Sequence, residues 1–170
     1  MNRIIETERL TLRPLIPDDA GDVFEWAGDP IANRFMPYPA YMEEAAVRRW
    51  IESLVLENNE FGFVLKSTGK VIGSGSVRFD EQLQAYVFGY NLNRAYWGNG
   101  YATEAAKAMI GWARRELGAR DFAAVYADAN TASGRVIEKC GLTFSHHTNY
   151  GKFDGSEVFE ASVMEAHFED

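Results

Sequence analysis

The chain has 170 residues and a mass of 19.1 kDa, and 17 Lys and Arg against 25 Asp and Glu give a net charge of −8 and a pI near 4.9. This length predicts one domain over residues 1–170 with an ordinary core. The acidic balance excludes a nucleic-acid backbone as the main partner, because phosphate neutralisation needs clustered Lys and Arg. A single cysteine, Cys140, excludes an intrachain disulfide and a multi-thiolate metal site, and the histidines lack metal-ligand spacing.

The sequence also argues against a membrane or secretory role. No apolar run approaches the roughly 20 residues of a membrane span, and charges interrupt the start of the chain, unlike a secretory signal. We therefore predict a cytoplasmic protein with no membrane partner. The acidic balance favours a cationic partner or substrate.

The first half of the chain predicts a strand, two helices and then three more strands. Alternating residues predict a strand over Thr7–Leu15, and Pro17 with two acidic residues opens a short helix through Trp26. The proline-rich stretch Asn33–Pro39 predicts a loop, and apolar residues at helical spacing predict a helix over Met42–Glu57. The strands that follow are Phe61–Lys66, Val71–Phe79 and Ala85–Asn93. Their short links predict antiparallel neighbours.

The second half begins with the strongest helical pattern. One apolar stripe predicts a helix from Ala102 to Leu117, and Gly118 ends it in the usual capping position. A buried strand over Asp121–Ala129 and a short helix over Thr131–Cys140 follow. The last two strands are Leu142–Asn149 and Glu157–Glu165. A meander followed by a strand–helix–strand crossover predicts an α/β (α+β) fold, with a mixed sheet and helices on its faces.

The stretch from Tyr90 to Ala105 carries the clearest indication of chemistry. A strand ends, a loop with Gly98 and Gly100 follows, and a strong helix begins at once. Glycines let a ligand approach the main chain closely, and the unpaired amides of a first helical turn favour an anion. The pattern therefore predicts a phosphate or pyrophosphate site.

Two other interpretations of this loop remain open. Asn99-Gly100 is a strong hairpin-turn dipeptide, although a helix rather than a second strand follows it. Gly98-x-Gly100-x-x-Thr103, with Asp121 about 20 residues further on, matches part of the dinucleotide-binding fingerprint. The third glycine of that fingerprint is missing, Asp121 begins its strand whereas a ribose-binding carboxylate ends one, and the preceding strands look antiparallel.

The loop resembles the acetyl-CoA loop of the GNAT acetyltransferases. Their Q/R-x-x-G-x-G/A signature maps onto the six residues beginning at Trp97, which stands where most members carry Gln or Arg. The stretch Tyr96–Ala105 resembles the Rim-type branch, the N-terminal acetyltransferases of ribosomal proteins and their relatives. Glu8–Arg13 and Asn130–Leu142 resemble the same branch. These segments occur in the family's order, and the element order matches the family along nearly the whole chain.

The resemblance implies a GNAT-like, mostly antiparallel central sheet of about seven strands with helices on both faces. It implies an acyltransferase that moves an acetyl group from acetyl-CoA, its co-substrate, to a primary amine by direct attack. The acceptor is a protein N-terminal α-amine or a small-molecule amine. Members of the fold often form dimers, so a homodimer is one expected assembly. The alternative is a non-catalytic acyl-CoA-binding sensor or scaffold module.

The resemblance also carries over individual residues. It assigns acetyl-CoA binding to Tyr90, Leu92, Trp97, Gly98, Asn99, Gly100, Tyr101, Ala102, Thr103, Asn130 and Ser133. The backbone of Tyr90 and Leu92 would pair with pantetheine where two parallel strands splay apart. A main-chain amide there, assigned to Leu92, would polarise the thioester carbonyl. Ser133 would help to protonate the leaving thiolate.

Several of these positions allow a plainer interpretation. Asn130 also suits a helix N-cap, and Gly89 in mid-strand would serve a bulge, a close ligand approach or packing. Glu104 is expected to form a local hydrogen bond or to act on the helix dipole. The strand Ala85–Tyr90 lacks the glutamate that many relatives place there, so the general base is unassigned. Arg135–Cys140 lacks the tyrosine that many relatives use as the acid.

By analogy, the acceptor site lies between the first two helices and the late hairpin. Its candidate wall residues, which equally suit an ordinary core, are Trp26, Phe35, Met36 and Tyr38. Cys140 is expected in the core beside apolar neighbours. Of the adjacent His146 and His147, strand alternation predicts that one faces solvent.

Overall fold

The computed structural model describes residues 2–57 and 59–170, which form eight strands and four α-helices. In chain order these are β1 (Ile5–Glu6), β2 (Leu10–Arg13), α1 (Ala20–Ala27), α2 (Glu44–Glu57), β3 (Glu60–Leu65), β4 (Val71–Asp80), β5 (Ala85–Leu92), α3 (Tyr101–Leu117), β6 (Asp121–Ala127), α4 (Thr131–Lys139), β7 (Thr143–Gly151) and β8 (Val158–His167). Short 3-10 turns at Pro17–Asp19 and Arg94–Tyr96 precede α1 and α3. From α1 onward, the order of helices and strands is the predicted one.

All the strands belong to one sheet, in the order β1-β2-β3-β4-β5-β6-β8-β7. The pair β5 and β6 is parallel, and each other pair is antiparallel. The short links before β4 and β5 fold these strands back as a meander, whereas α3 carries the chain across to a parallel neighbour. The mixed, mostly antiparallel sheet is confirmed.

The sheet has one strand more than the expected number of about seven, because β1 precedes the first predicted strand, Thr7–Leu15, of which only Leu10–Arg13 is a strand. Thr7 separates β1 from β2: the Thr7 amide donates to the Leu10 carbonyl at 2.9 Å, and the Leu10 amide donates to Thr7 Oγ1 at 3.0 Å. A threonine hydroxyl that bonds nearby backbone competes with the strand ladder in this way. The chain therefore turns, and β1 pairs with β2 as a separate short strand.

Each face of the sheet carries its own core, so helices cover both faces as predicted. Under α3 and α4 the fully buried side chains include Leu10, Phe61, Phe63, Met109 and Phe122. Under α1 and α2 they include Val23, Val47 and Ile51. Alternation along β3 separates these faces: Phe61 and Phe63 point towards α3, while Glu60 and Gly62 belong to the opposite face.

One glycine sets how closely α4 approaches the sheet. A Cβ added at Gly134 would lie 2.8 Å from the ring of Tyr126 in β6. No side chain fits at that distance, so only glycine lets the first turns of α4 pack directly on the strand. The position of Gly134 therefore also fixes that of Ser133 beside it.

We expect Gly134→Ala to lower the free energy of unfolding by about 1–3 kcal/mol, because the added methyl group overpacks a filled contact. The matched control is Gly111→Ala inside α3, where the added Cβ meets only the flexible end of Arg115 at 3.2 Å. That control should gain about 0.5–1 kcal/mol from reduced backbone entropy. Urea unfolding of both variants measures the difference, and equal stabilities would refute the close α4 contact.

The cysteine and the two adjacent histidines lie outside the functional site described below. Cys140 is 8% exposed, and burial raises its thiol pKa to about 11, so the residue lies in the core as predicted. His146 and His147 on β7 are both exposed. Across residues 2–57 and 59–170, no helix combines the length and apolarity that crossing a membrane demands.

Candidate active site

The parallel strands β5 and β6 separate at the centre of the sheet. Their register pairs Tyr86 with Phe122 and Val87 with Ala123, and the pairing goes no further although β5 continues to Leu92. The other edge of β5 pairs with β4 along its whole length without a register shift. The second half of β5 therefore presents one open edge, and the bulge considered at Gly89 does not occur.

Backbone alternation turns the amides of Tyr90 and Leu92 towards this open edge. The Asn93 amide donates to the carbonyl of Ile72 in β4 at 2.7 Å. In this part of β5, amides at odd-numbered positions therefore face β4, and amides at even-numbered positions face away from it. The Leu92 amide is satisfied by the side-chain oxygen of its neighbour Asn91 at 3.0 Å. Two donors thus line the gap in which an extended ligand can pair with the strand.

The glycine loop that follows β5 presents a run of unused donors. No described residue accepts a hydrogen bond from the amides of Gly98 to Thr103, and the first helical bond runs from Glu104 to Gly100. Gly98 and Gly100 have φ of +78° and +81°, which only glycine adopts without strain. A Cβ added at Gly98 would meet nothing within 4 Å. These amides and the dipole of α3 form an open anion site that fits a pyrophosphate.

Arg9 holds this loop in place from the start of the chain. Its Nη1 donates to the Asn99 carbonyl at 2.8 Å, its Nε donates to Glu104 at 2.8 Å, and its guanidinium lies 4.2 Å from the centroid of the Tyr101 ring. Glu104 also accepts from the Thr7 hydroxyl at 2.6 Å. Burial pushes the pKa of Glu104 up, but the bonds from Thr7 and Arg9 hold it below its usual value. Glu104 is therefore the local hydrogen-bond partner expected from the sequence.

We expect Arg9→Ala to raise the Kd for acetyl-CoA about tenfold, because the loop loses the Arg9 contacts that hold it in place while its backbone amide donors remain. Arg48→Ala, on the exposed side of α2, is the matched control and should leave the Kd unchanged. Titration calorimetry measures both affinities. An unaltered Kd in folded Arg9→Ala would show that the loop keeps its shape without the guanidinium.

On the other side of the gap, the start of α4 brings two hydroxyl groups together. Asn130 caps α4, since its side-chain oxygen accepts from the Ser133 amide at 3.3 Å. Ser133 Oγ lies 3.4 Å from the hydroxyl of Tyr90, which reaches across from β5. Burial raises the pKa of Tyr90, and the bond with Ser133 offsets part of that rise. Sequence reasoning had assigned only the backbone of Tyr90, because its side-chain partner lies 43 positions away.

The indole of Trp97, at the start of the glycine loop, lies beside the gap between β5 and β6. Its Nε1 donates to the Leu92 carbonyl at 2.9 Å, which ties the loop back to the end of β5. The side chain still exposes 47% of its surface. Trp97 thus supplies a flat apolar surface beside the open edge, where the family signature usually carries Gln or Arg.

The opposite face of the sheet is enclosed by the loop between α1 and α2 together with the β7–β8 hairpin. The Tyr150 hydroxyl donates to the Phe35 carbonyl at 2.6 Å, and Lys152 Nζ donates to the Met36 carbonyl at 2.9 Å. Arg34 Nη1 and Nη2 donate to the two oxygens of the Glu157 carboxylate, at 2.8 and 2.9 Å. The structure thus places the loop against the hairpin, where the acceptor site was expected.

The expected wall residues divide into two groups. Phe35, Met36 and Tyr38 lie on the loop held against the hairpin. Tyr38 exposes 39% of its surface, although its phenol group is largely surrounded by protein. Trp26 does not join them: it is 2% exposed, and its Nε1 donates to the Val71 carbonyl at 3.4 Å within the α1–α2 core. Trp26 is therefore a core residue, because α1 turns its apolar side onto the sheet.

Polar side chains of this loop and of the sheet beneath it form a group, of which sequence reasoning identified only Tyr38. We call it the polar cluster; its members are Asn33, Tyr38, Glu60, Ser74 and Asn91. The Asn91 amide donates to Asn33 Oδ1 at 2.9 Å, and Ser74 Oγ donates to Glu60 at 2.8 Å. Burial of the phenol raises the pKa of Tyr38 to about 12, and a hydrogen bond with Asn91 opposes the rise. Asn33, Ser74 and Asn91 are nearly inaccessible to water, at 2%, 3% and 6% exposure.

The comparison with family models agrees with this geometry. Residues 9–143 match the acetyltransferase (GNAT) domain. The chain belongs to the GNAT acetyltransferase family. Among curated proteins it is 30% identical over 137 residues to the uncharacterized N-acetyltransferase p20 of Bacillus licheniformis, covering 77% of each chain. This acetyltransferase is thus an acyltransferase that uses acetyl-CoA, as the resemblance implied.

Solved structures support the fold of this acetyltransferase. A GNAT-family acetyltransferase from Bacillus anthracis superposes with a TM-score of 0.84 at 23% identity, covering 96% of this chain and 98% of that one. The ribosomal-protein-S5-alanine acetyltransferase of Vibrio fischeri gives 0.75 at 19% identity, covering 99% and 98%. The microcin C7 self-immunity acetyltransferase MccE, solved with acetyl-CoA and AMP, gives 0.82 at 17% identity, covering 95% and 94%.

Proposed function

We propose that this protein is a single-domain N-acetyltransferase that transfers the acetyl group of acetyl-CoA to a primary amine by direct attack. The observation that carries the proposal is the run of unused amides from Gly98 to Thr103, set at the end of an open strand edge. The loop fits the pyrophosphate, and the edge beside Tyr90 and Leu92 fits the extended pantetheine arm. The thioester then lies where β5 and β6 separate, a point that we call the splay, between the two faces of the sheet.

Two groups at the splay act on the thioester in this proposal. The Leu92 amide polarises the carbonyl oxygen, a contribution of about 3–4 kcal/mol for such donors. Before the co-substrate arrives, the Asn91 side chain keeps this donor satisfied at 3.0 Å. Ser133, assisted by Tyr90, supplies a proton to the departing thiolate.

The acceptor in this proposal is a primary amine that approaches from the face enclosed by the α1–α2 loop and the β7–β8 hairpin. The net charge of −8 favours a cationic acceptor. A protein N-terminal α-amine, with a pKa of about 8, reaches the neutral attacking form more readily than a lysine at about 10.4. A small-molecule amine is the other acceptor class in this proposal, and a homodimer remains an expected assembly.

Two measurements test the proposed function. Titration calorimetry with acetyl-CoA, and with NAD as the control ligand, should show micromolar binding of acetyl-CoA alone. Thiol release is then followed with an alanine-initiated peptide, a serine-initiated peptide, spermidine and an aminoglycoside as acceptors. Binding without turnover would favour the acyl-CoA-binding module, which the missing carboxylate in the first half of β5 also suits. Failure of a folded sample to bind acetyl-CoA would refute the loop's assignment.

A further inference from the structure

A half-buried carboxylate lies on the face of the sheet that the acceptor approaches. Glu60 is the first residue of β3, and because Phe61 and Phe63 point into the core under α3, Glu60 belongs to the opposite face. Its carboxylate accepts a hydrogen bond from Ser74 Oγ at 2.8 Å. This acid is placed among the polar cluster and not in the solvent, where an acidic side chain at a strand end usually lies.

An uncovered part of the sheet surface lies between Glu60 and the point where β5 and β6 separate. Glu60, Ser76 and Gly89 form one row across β3, β4 and β5. Two strand spacings separate the Cα atoms of Glu60 and Gly89, roughly 10 Å. A Cβ added at Gly89 would meet nothing within 4 Å, so the surface above this glycine is free. An amine seated there lies between the carboxylate and the open edge of β5.

Hydrogen-bonding groups also run from Glu60 to the splay. Ser74, which donates to Glu60, stands opposite Asn91 in the β4–β5 register. The Asn91 side chain in turn contacts the Leu92 amide at 3.0 Å. Neighbouring polar side chains on β4 and β5 therefore lie between the carboxylate and the donor for the thioester carbonyl.

The surroundings of Glu60 make its carboxylate a stronger base than a fully solvated one. Burial, and to a smaller extent the charge of Glu57, raises the pKa of Glu60. The bond from Ser74 and the charges of Arg78 and Arg3 oppose this rise. The phenol of Tyr38 also faces the carboxylate. A carboxylate with a raised pKa holds a transferred proton better than an ordinary one.

We propose that Glu60 is the general base, which takes the proton of the attacking amine through at most one water. The inference rests on the proposed function. The lone pair of the neutral amine forms the new C–N bond, and the C–S bond of the thioester breaks. The nitrogen loses one proton to Glu60, and the CoA thiolate gains one from the Ser133–Tyr90 pair. Solvent then returns the proton from Glu60 to that pair, so charge and protons balance.

The first test compares Glu60→Gln with Glu52→Gln, an exposed position on α2. The amide keeps the size of Glu60 and accepts from Ser74 but cannot take a proton. We expect kcat with the best acceptor of the panel to fall roughly 100-fold or more, the usual effect of losing a general base. The Kd for acetyl-CoA should stay within about twofold, because the glycine loop is untouched. The Glu52 variant should match the unmodified protein.

The second test uses the pH profile of kcat/KM, which a purely structural role would not move. Removing the Ser74 hydroxyl takes away a bond that lowers the pKa of Glu60. In Ser74→Ala the acidic limb of the profile should therefore shift to higher pH, since Glu60 is then protonated over a wider range. In Glu60→Gln that limb should disappear. An acidic limb unchanged in both variants would overturn the assignment.

Thermal unfolding separates loss of chemistry from loss of fold. The pKa of Glu60 is raised in the folded state, so its ionisation opposes folding as the pH rises above the ordinary value. Glu60→Gln should therefore melt no lower than the unmodified protein at pH 8 while its turnover is lost. A variant that is both less stable and less active would assign Glu60 a structural role.

The outcomes distinguish this inference from the proposed function. Full turnover by Glu60→Gln overturns Glu60 as the base and leaves the acetyltransferase proposal standing. Absence of acetyl-CoA binding by the unmodified protein overturns the proposed function itself. Binding without turnover of any amine in the panel overturns the transfer reaction and the proton transfer to Glu60 together.

Discussion

Replacing Gly100 with valine is expected to abolish acetyl-CoA binding, with a Kd raised at least about 100-fold. Gly100 has φ of +81° and is the N-cap residue of α3, and an added Cβ would lie 3.4 Å from Arg9 Nη2. A β-branched residue in this region costs roughly 1–2 kcal/mol and would move the loop to another conformation. The amides from Gly98 to Thr103 would then no longer point at one anion. Titration calorimetry measures the effect.

The control for this variant carries the same strain at a remote position. Gly69, in the turn between β3 and β4, has φ of +75°, and its added Cβ would meet nothing within 4 Å. Gly69→Val should lose a similar amount of stability and keep its affinity for acetyl-CoA. Equal affinities in the two valine variants would show that the loop does not seat the pyrophosphate.

The second large effect is expected at Ser133. Ser133→Ala should lower kcat roughly 100-fold, because the thiolate loses its nearest proton donor, while the Kd for acetyl-CoA changes less than about threefold. The Asn130 side chain still caps α4 through the backbone amide of residue 133, so the helix start is kept. Steady-state kinetics with the best acceptor of the panel, beside calorimetry, separates the two quantities.

Tyr90→Phe tests whether the two hydroxyls act as a unit. Ser133 Oγ and the Tyr90 hydroxyl lie 3.4 Å apart, so the double variant should lose less activity than the product of the two single losses. Ser145→Ala on exposed β7 is the control and should retain full turnover. Unchanged kcat in Ser133→Ala would remove Ser133 from the mechanism and leave solvent as the proton source.

The glycine loop was predictable because its features are local in sequence. Gly98 and Gly100 supply the positive φ angles, and the helix that begins at Tyr101 exposes its first amides whatever surrounds it. Asn130 caps α4 for a similar reason, through a bond to an amide three residues on. Such contacts depend on a few consecutive residues, so the sequence pattern contains them.

The polar cluster was not predictable in the same way. Glu60 stands just before the apolar strand that alternation identifies at Phe61, and nothing in its sequence neighbours distinguishes it from a solvated acid. Its partner Ser74 lies 14 positions away, and Asn91 meets Asn33 across 58 positions. Only the β3–β4–β5 register and the closure of the α1–α2 loop bring these groups together.

Two further differences have the same cause. Trp26 suited a binding wall by residue type, yet the packing of α1 on the sheet buries it. Gly89 suited a bulge, yet the β4–β5 register is continuous and the glycine leaves open space. In each case the side chain's neighbours come from distant segments, and residue type does not decide which face of an element is covered.

By itself the sequence determined the family, the order of the main elements, the anion-binding loop and the helix caps, because periodicity, capping and positive φ depend on neighbouring residues. The tertiary structure alone decided the open edge of β5, the meeting of Tyr90 with Ser133 and the placement of Glu60 beside Ser74. These follow from strand register and from the packing of α4 and the α1–α2 loop, which join residues far apart in the chain.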